Sequence, residues 1–144
     1  MIQEIVDQGR ILAIIIRVSY KKDGIHFCTP PSFSQQLAYM RHPAGHLIPP
    51  HVHNAVVREV EYTKEVLYIK SGKVRVDFYT EESVYLKSTV LNAGDVILLA
   101  YGGHGFRVLE ESEIVEVKQG PYAGDLDKTR FEGVTDEAVR LDEV

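Results

Sequence analysis

The chain has 144 residues, the size of one domain, of which 44% are hydrophobic and 26% charged. This balance is typical of a folded protein with a substantial core and excludes a disordered chain. The formal net charge is −5, which opposes contact with the phosphate backbone of a nucleic acid. We therefore expect no nucleic-acid partner.

The cysteine content and the apolar runs bear on the compartment. Cys28 is the single cysteine, so no disulfide can form within the chain, which fits a reducing environment. The longest apolar run, residues 11–16, is far shorter than the roughly 20 residues that span a bilayer. It also follows charged residues that are untypical of a signal peptide. We expect a cytoplasmic protein with no membrane partner.

The first predicted strands lie in the N-terminal third of the chain. A β-branched run at residues 11–18, between Gly9 and an Asp-Gly pair, predicts one strand, and residues 36–41 predict another. The run at 11–16 is more apolar than an exposed edge strand should be. We therefore expect the N-terminal strand, within residues 1–20, to be shared between the subunits of a homodimer.

The most regular alternation lies at residues 65–79. Glu65, Leu67 and Ile69 share one face, a Ser-Gly-Lys sequence at 71–73 predicts a turn, and residues 74–79 repeat the alternation on a returning arm. Further short strands are predicted at residues 85–91, 96–100, 106–109 and 114–119, separated by turn-forming residues. Helix is predicted only near residues 135–141.

Many short strands at this spacing predict an all-β sandwich or barrel. We expect a single domain over residues 1–144, with the barrel core at 36–119 and a C-terminal extension at 120–144. The chain contains no internal repeat or low-complexity linker.

Four side chains form a candidate metal site. His51 and His53 are two residues apart, so both imidazoles point to one side of an extended segment. Glu65 shares its face with the predicted core residues, where a carboxylate needs a partner. His104 lies among three glycines, which permit a tight turn. Three imidazoles and one carboxylate suit a divalent transition metal, namely Zn, Fe, Mn, Ni or Cu, and leave a position for a small molecule.

The spacing of these residues resembles the two motifs of the cupin superfamily. Gly45 is followed by five residues, then His51 and His53, and Glu65 is followed by six residues and Gly72. The second motif is similar to Gly94, Ala100, Gly102 and His104, with alanine where proline is usual and the histidine one residue early. The resemblance implies a double-stranded β-helix, the jelly-roll barrel of cupins, with little helix and a short C-terminal extension.

The gap between His53 and Glu65 is longer than is usual in the family, so Glu59 or Glu61 is an alternative ligand to Glu65. The chain is also similar to small bacterial and archaeal cupins linked with sugar and surface-polysaccharide pathways. That likeness implies a small-molecule ligand, such as a sugar derivative or an organic acid.

Three kinds of function follow from this interpretation. The first is a metal-dependent enzyme, either an oxygenase or an isomerase. The second is a metal-independent enzyme that resembles the nucleotide-sugar isomerases and epimerases among cupins, in which His51 or His53 is the base and Tyr39 or Tyr68 the acid. The third is a non-catalytic or sensory ligand-binding protein. No catalytic residue is assigned from the sequence.

Overall fold

The computed structural model describes residues 1–142. Within this range the regular secondary structure is almost entirely β-strand, so the predicted all-β class is confirmed. Its eight strands, in chain order, are β1 Ile2–Asp7, β2 Arg10–Ile16, β3 Gly24–Phe27, β4 Ala38–Arg41, β5 Glu65–Tyr79, β6 Tyr85–Asn92, β7 Val96–Leu99 and β8 Gly103–Lys118. The predicted C-terminal helix is reduced to a 3-10 turn at Asp136–Ala138.

Six of these strands form one strongly curled antiparallel sheet, a half-barrel. Its order is β1-β2-β7-β5-β6, with β8 on the other edge of β5. The start of β5 pairs with β7 and its end pairs with β6, while β8 runs beside β5 for its whole length. Strands β3 and β4 form a separate two-stranded sheet.

The apolar run at residues 11–16 lies inside the sheet, because β2 pairs with β1 on one side and β7 on the other. Ile14 and Ile15 are fully buried within the single chain. Strand β1 was not predicted from the sequence. In the structure a tight turn joins it to β2, and Gln8 and Gly9 in this turn both have positive φ angles. Burial of this run thus needs no second subunit, and the homodimer stays a prediction.

The predicted hairpin at residues 65–79 is wrong, because β5 is one continuous strand of 15 residues. Residues 71–73 form an irregularity where the register between β5 and β8 shifts. Likewise the two strands predicted at 106–109 and 114–119 are parts of the single strand β8. The alternation of faces was predicted correctly, since Leu67 and Ile69 are buried with Val74, Val76 and Phe78 in one core cluster.

Two separate apolar clusters cover the two faces of the sheet. The larger fills the concave face and includes Leu67, Phe78 and Ile97. The smaller lies on the convex face around Ile14 and Leu98. Side chains that precede or follow β3 and β4 cover this second cluster, among them Cys28, Phe33 and Leu37. The sheet therefore has two distinct surfaces on which side chains can gather.

A buried ion pair holds β2 against the turn between β6 and β7. The Arg17 guanidinium donates to Asp95 Oδ2 at 3.0 Å and to the Val90 carbonyl at 2.7 Å. Asp95 also accepts from the backbone N–H groups of Val18 and Asn92. Since both charges are almost fully buried, these additional hydrogen bonds are what makes the pair tolerable in the interior.

The curl of the ribbon formed by β5 and β8 depends on Gly72. Its φ angle is +83°, and the position that a Cβ atom would take is occupied by the Glu111 carbonyl oxygen and by Ser112. A side chain at this position would separate β5 from β8 at the point where their register shifts. Glycine is therefore required here for both its φ angle and its lack of volume.

We expect Gly72→Ala to destabilise the fold by about 2 kcal/mol more than Gly45→Ala. Both glycines have a φ near +85°, but Gly45 has open space around it. The control variant Gly45→Ala therefore loses only the free energy of left-handed backbone strain, about 1–2 kcal/mol. The additional cost is the steric conflict with β8. Urea denaturation of the two variants measures it, and equal losses would contradict the role assigned to Gly72.

Candidate functional site

Glu65 and His104 meet on the concave face of the half-barrel. Glu65 is the first residue of β5, and His104 lies opposite Phe78 near the other end of the same strand. Thirteen residues of straight strand would separate these ends by about 43 Å. Because the ribbon curls, His104 Nε2 lies 3.2 Å from Glu65 Oε2. The His104 side chain is 28% exposed and the Glu65 side chain 12% exposed, so the pair is half-buried at the edge of the solvent.

Lys118 and Asp127 extend this pair into a small charged cluster. Lys118 lies opposite Glu65 in the β5–β8 register, and its Nζ is 3.6 Å from Glu65 Oε1. It is also 3.2 Å from Asp127 Oδ2, at the end of the 3-10 helix Gly124–Asp127. Asp127 in turn accepts a hydrogen bond from the Thr63 hydroxyl. The start of the C-terminal extension is thereby fixed beside the pair.

The charges around Glu65 favour its ionised form. The hydrogen bond from His104 is the largest cause that lowers the pKa of the Glu65 carboxyl, and partial burial opposes it. The positive charges of Lys118 and Lys128 lower this pKa further. Glu65 is therefore a carboxylate over a wide pH range, which suits either the orientation of an imidazole or the binding of a cation.

His51 and His53 lie apart from this cluster, on an exposed segment. Residues 42–64 contain no helix or strand. The two imidazole rings face each other edge to face, with centroids 5.1 Å apart, and His51 Nδ1 is 3.0 Å from the Pro49 carbonyl oxygen. Glu59 and Glu61, the alternative ligands, are exposed on the same segment.

The four predicted ligands thus form two pairs. The structure brings Glu65 together with His104, and His51 together with His53. Across residues 1–142, no three His, Cys, Asp or Glu side chains are grouped closely enough to hold a metal ion. The set of four stays a prediction.

Sequence reasoning missed Lys118, Asp127 and Thr63 as members of the cluster. Lys118 is one of several scattered basic residues, and its position beside Glu65 depends on the register of β8, which local patterns do not reveal. Asp127 follows a Gly-Asp pair in the C-terminal extension, but its contact with residue 118 is likewise non-local.

The depressed pKa of Glu65 predicts a pH-dependent contribution to stability. A carboxyl with a lowered pKa stabilises the fold above its ordinary value of 4.5, and this contribution is lost as the pH falls through the folded-state value. At pH 7 we expect Glu65→Gln to lower the free energy of unfolding by about 1.5–3 kcal/mol, the usual contribution of a hydrogen bond to a charged group. As the pH falls below 4.5 and through the lowered folded-state pKa, the wild type and the variant should converge.

Thermal or urea unfolding between pH 3 and pH 7 checks this expectation. The matched control is Glu116→Gln, since Glu116 is an exposed glutamate of β8 that lies opposite Leu67 on the same face. Glu116 forms no ion pair within residues 1–142. We therefore expect Glu116→Gln to change the free energy of unfolding by no more than about 0.5 kcal/mol at any pH in this range. A Glu65→Gln difference that does not change with pH would show that the ionised carboxylate contributes nothing.

Comparison of the chain with protein-family models, with curated proteins and with solved structures gave no match. Among residues 1–142, no helix has the length and apolar character needed to traverse a lipid bilayer.

Proposed function

We propose that this all-β half-barrel is a cupin-like protein that binds a small molecule at a metal ion on its concave face. The observation that carries the proposal is the contact between Glu65 and His104, whose side chains meet across the curl of the ribbon. A carboxylate and an imidazole in contact at the open side of a sheet can supply half of the ligands of a transition-metal site. The jelly-roll topology and the family are part of the proposal.

The chemistry of the donor set fits such an ion. His51, His53 and His104 would supply three nitrogen ligands and Glu65 an oxygen ligand, as Zn, Fe, Mn, Ni or Cu accepts. His53 and Glu65 are joined by a chain that can extend to about 40 Å. The exposed segment 42–64 therefore has ample length to bring both histidines to Glu65 and His104.

Exposed apolar surface also favours closure of this segment over the half-barrel. Within residues 1–142, β8 pairs only with β5, and its concave-face residues Phe106 and Val108 are 40% and 56% exposed. On the segment, Val52 and Val57 are 86% and 96% exposed. Contact between the two would remove both apolar surfaces from water, and metal binding commonly drives such ordering.

A metal ion held here would supply Lewis-acid chemistry to a bound small molecule. The chain itself would contribute Lys118, whose ammonium contacts Glu65 and Asp127 and would donate its remaining N–H group to a sugar derivative or organic acid. Phe106, whose ring centroid is 5.5 Å from that of His104, would provide an apolar wall. An oxygenase or an isomerase is compatible with these elements.

A second candidate function, metal-independent proton transfer, is favoured by the hydrogen bond between His104 and Glu65. An imidazole oriented by a carboxylate is a common general base. In this alternative His104 replaces His51 or His53 as the base. Tyr68 points away from it, since Tyr68 lies opposite Val96 and Val115 and thus on the convex face. Tyr39 packs edge to face on Tyr20.

We expect the purified protein to bind one divalent transition metal ion per chain. His104→Ala and Glu65→Gln should each lower the metal affinity at least about 100-fold, since removal of a ligand costs more than a change in the residues that surround the ligands. His51→Ala and His53→Ala should give comparable losses. Elemental analysis and titration with Zn²⁺ or Co²⁺ measure these values.

The matched control is His26→Ala, because the His26 ring contacts the Asp23 carbonyl oxygen in the separate β3–β4 sheet. It should bind metal as the wild type does. Metal binding that survives the loss of Glu65 and His104 would overturn the proposed site. If the protein turns over a sugar or organic-acid substrate after chelation, and His104→Ala abolishes this turnover, the proton-transfer alternative is correct. Ligand binding without turnover would indicate a non-catalytic protein.

A further inference from the structure

A pocket lies on the convex side of the sheet, on the face opposite to Glu65. It has a volume of about 290 Å³, near the lower end of the range for small-molecule sites. Its floor is apolar and includes Ile11, Ala100 and Phe33, which belong to the convex-face cluster. Its lining includes none of the metal ligands proposed above.

Two cations line this pocket, Arg10 and Lys64. Within residues 1–142, neither forms an ion pair with a carboxylate. Lys64 Nζ donates to the Ser34 hydroxyl at 3.2 Å, which leaves two of its three N–H groups for a ligand. An unneutralised pair of positive charges beside an apolar floor is suited to an anion with a small organic body.

Aromatic side chains hold the Arg10 guanidinium in place. Its central carbon lies 3.0 Å from the centroid of the Tyr101 ring and 5.8 Å from that of Tyr62. The two tyrosines contact each other edge to face, and both hydroxyls donate to the Glu81 carboxylate. A guanidinium stacked on a ring keeps its N–H donors at the edge of its plane, where they can meet an oxyanion.

The nearby Glu81 carboxylate is an opposing negative charge, but each of its oxygens accepts a hydrogen bond from one tyrosine. Arg10 and Lys64 together carry two positive charges, which a doubly charged anion matches better than a singly charged one. The Ser32 hydroxyl, also in the lining, adds a hydrogen-bond donor. The small volume favours a compact group attached to that anion.

We propose that this pocket binds the phosphate group of a small phosphate monoester, with Arg10 and Lys64 as the residues that recognise it. The nearby rings of Phe33 and Tyr62 would contact the organic part of the ligand. The protein would then bind a phosphate monoester on its convex face and a different small molecule on its concave face.

Titration calorimetry with phenyl phosphate at pH 8 tests the proposal, because the second phosphate proton, with a pKa near 6, is then lost. We expect Arg10→Gln and Lys64→Gln each to weaken binding at least about tenfold, and Arg10→Lys to weaken it less than Arg10→Gln. Benzoate, which has an aromatic body but one charge, should bind at least about fivefold more weakly than phenyl phosphate.

Lys70→Gln is the matched control, because Lys70 lies on β5 but pairs with Glu113 on the exposed surface. It should bind phenyl phosphate as the wild type does. Glu65→Gln should also retain binding, which separates this site from the proposed metal site. No binding at millimolar phenyl phosphate, equal affinity for benzoate, or loss of binding in Lys118→Gln but not in Arg10→Gln would each overturn the proposal. Circular dichroism of each variant verifies that it is folded.

Discussion

The close contact between Gly72 and the backbone of β8 is the constraint on which the concave site depends. At this point the β5–β8 ribbon changes register, and the absence of a side chain lets Glu111 and Ser112 pack directly against β5. The curl brings the two ends of a 15-residue strand to the same opening. Without it, Glu65 and His104 would lie at opposite ends of an extended ribbon.

Gly72 also explains why the sequence predicted which side chains of β5 are buried, but not that β5 is one continuous strand. Ser-Gly-Lys between two alternating apolar arms has the local composition of a hairpin turn and of a bulged strand alike. What distinguishes them is the partner strand: β8 extends past Gly72 and pairs with both arms. A contact between residues about 40 positions apart leaves no signature in the local pattern.

The candidate site shows the same division between local and non-local information. Alternation correctly placed Glu65 with Leu67 and Ile69, which lie on the concave face together with His104. Register then decided which of these residues meet, and it added Lys118, which the pattern did not distinguish from other basic residues. His51 and His53 lie in residues 42–64, which contain no strand, since Pro49 and Pro50 remove two backbone donors needed for pairing.

The two sites proposed here share one short stretch of backbone. Lys64 lines the convex pocket, whereas the next residue, Glu65, contacts His104 on the concave face. The Lys64 carbonyl accepts a hydrogen bond from the Gln119 N–H, immediately after Lys118, whose ammonium lies beside Glu65. Because a slip of one residue would exchange the faces of every side chain on the strand, the pairing to which this hydrogen bond belongs determines on which face each of the two cations lies. The register of β5 against β8 therefore sets the electrostatics of the concave and convex faces together.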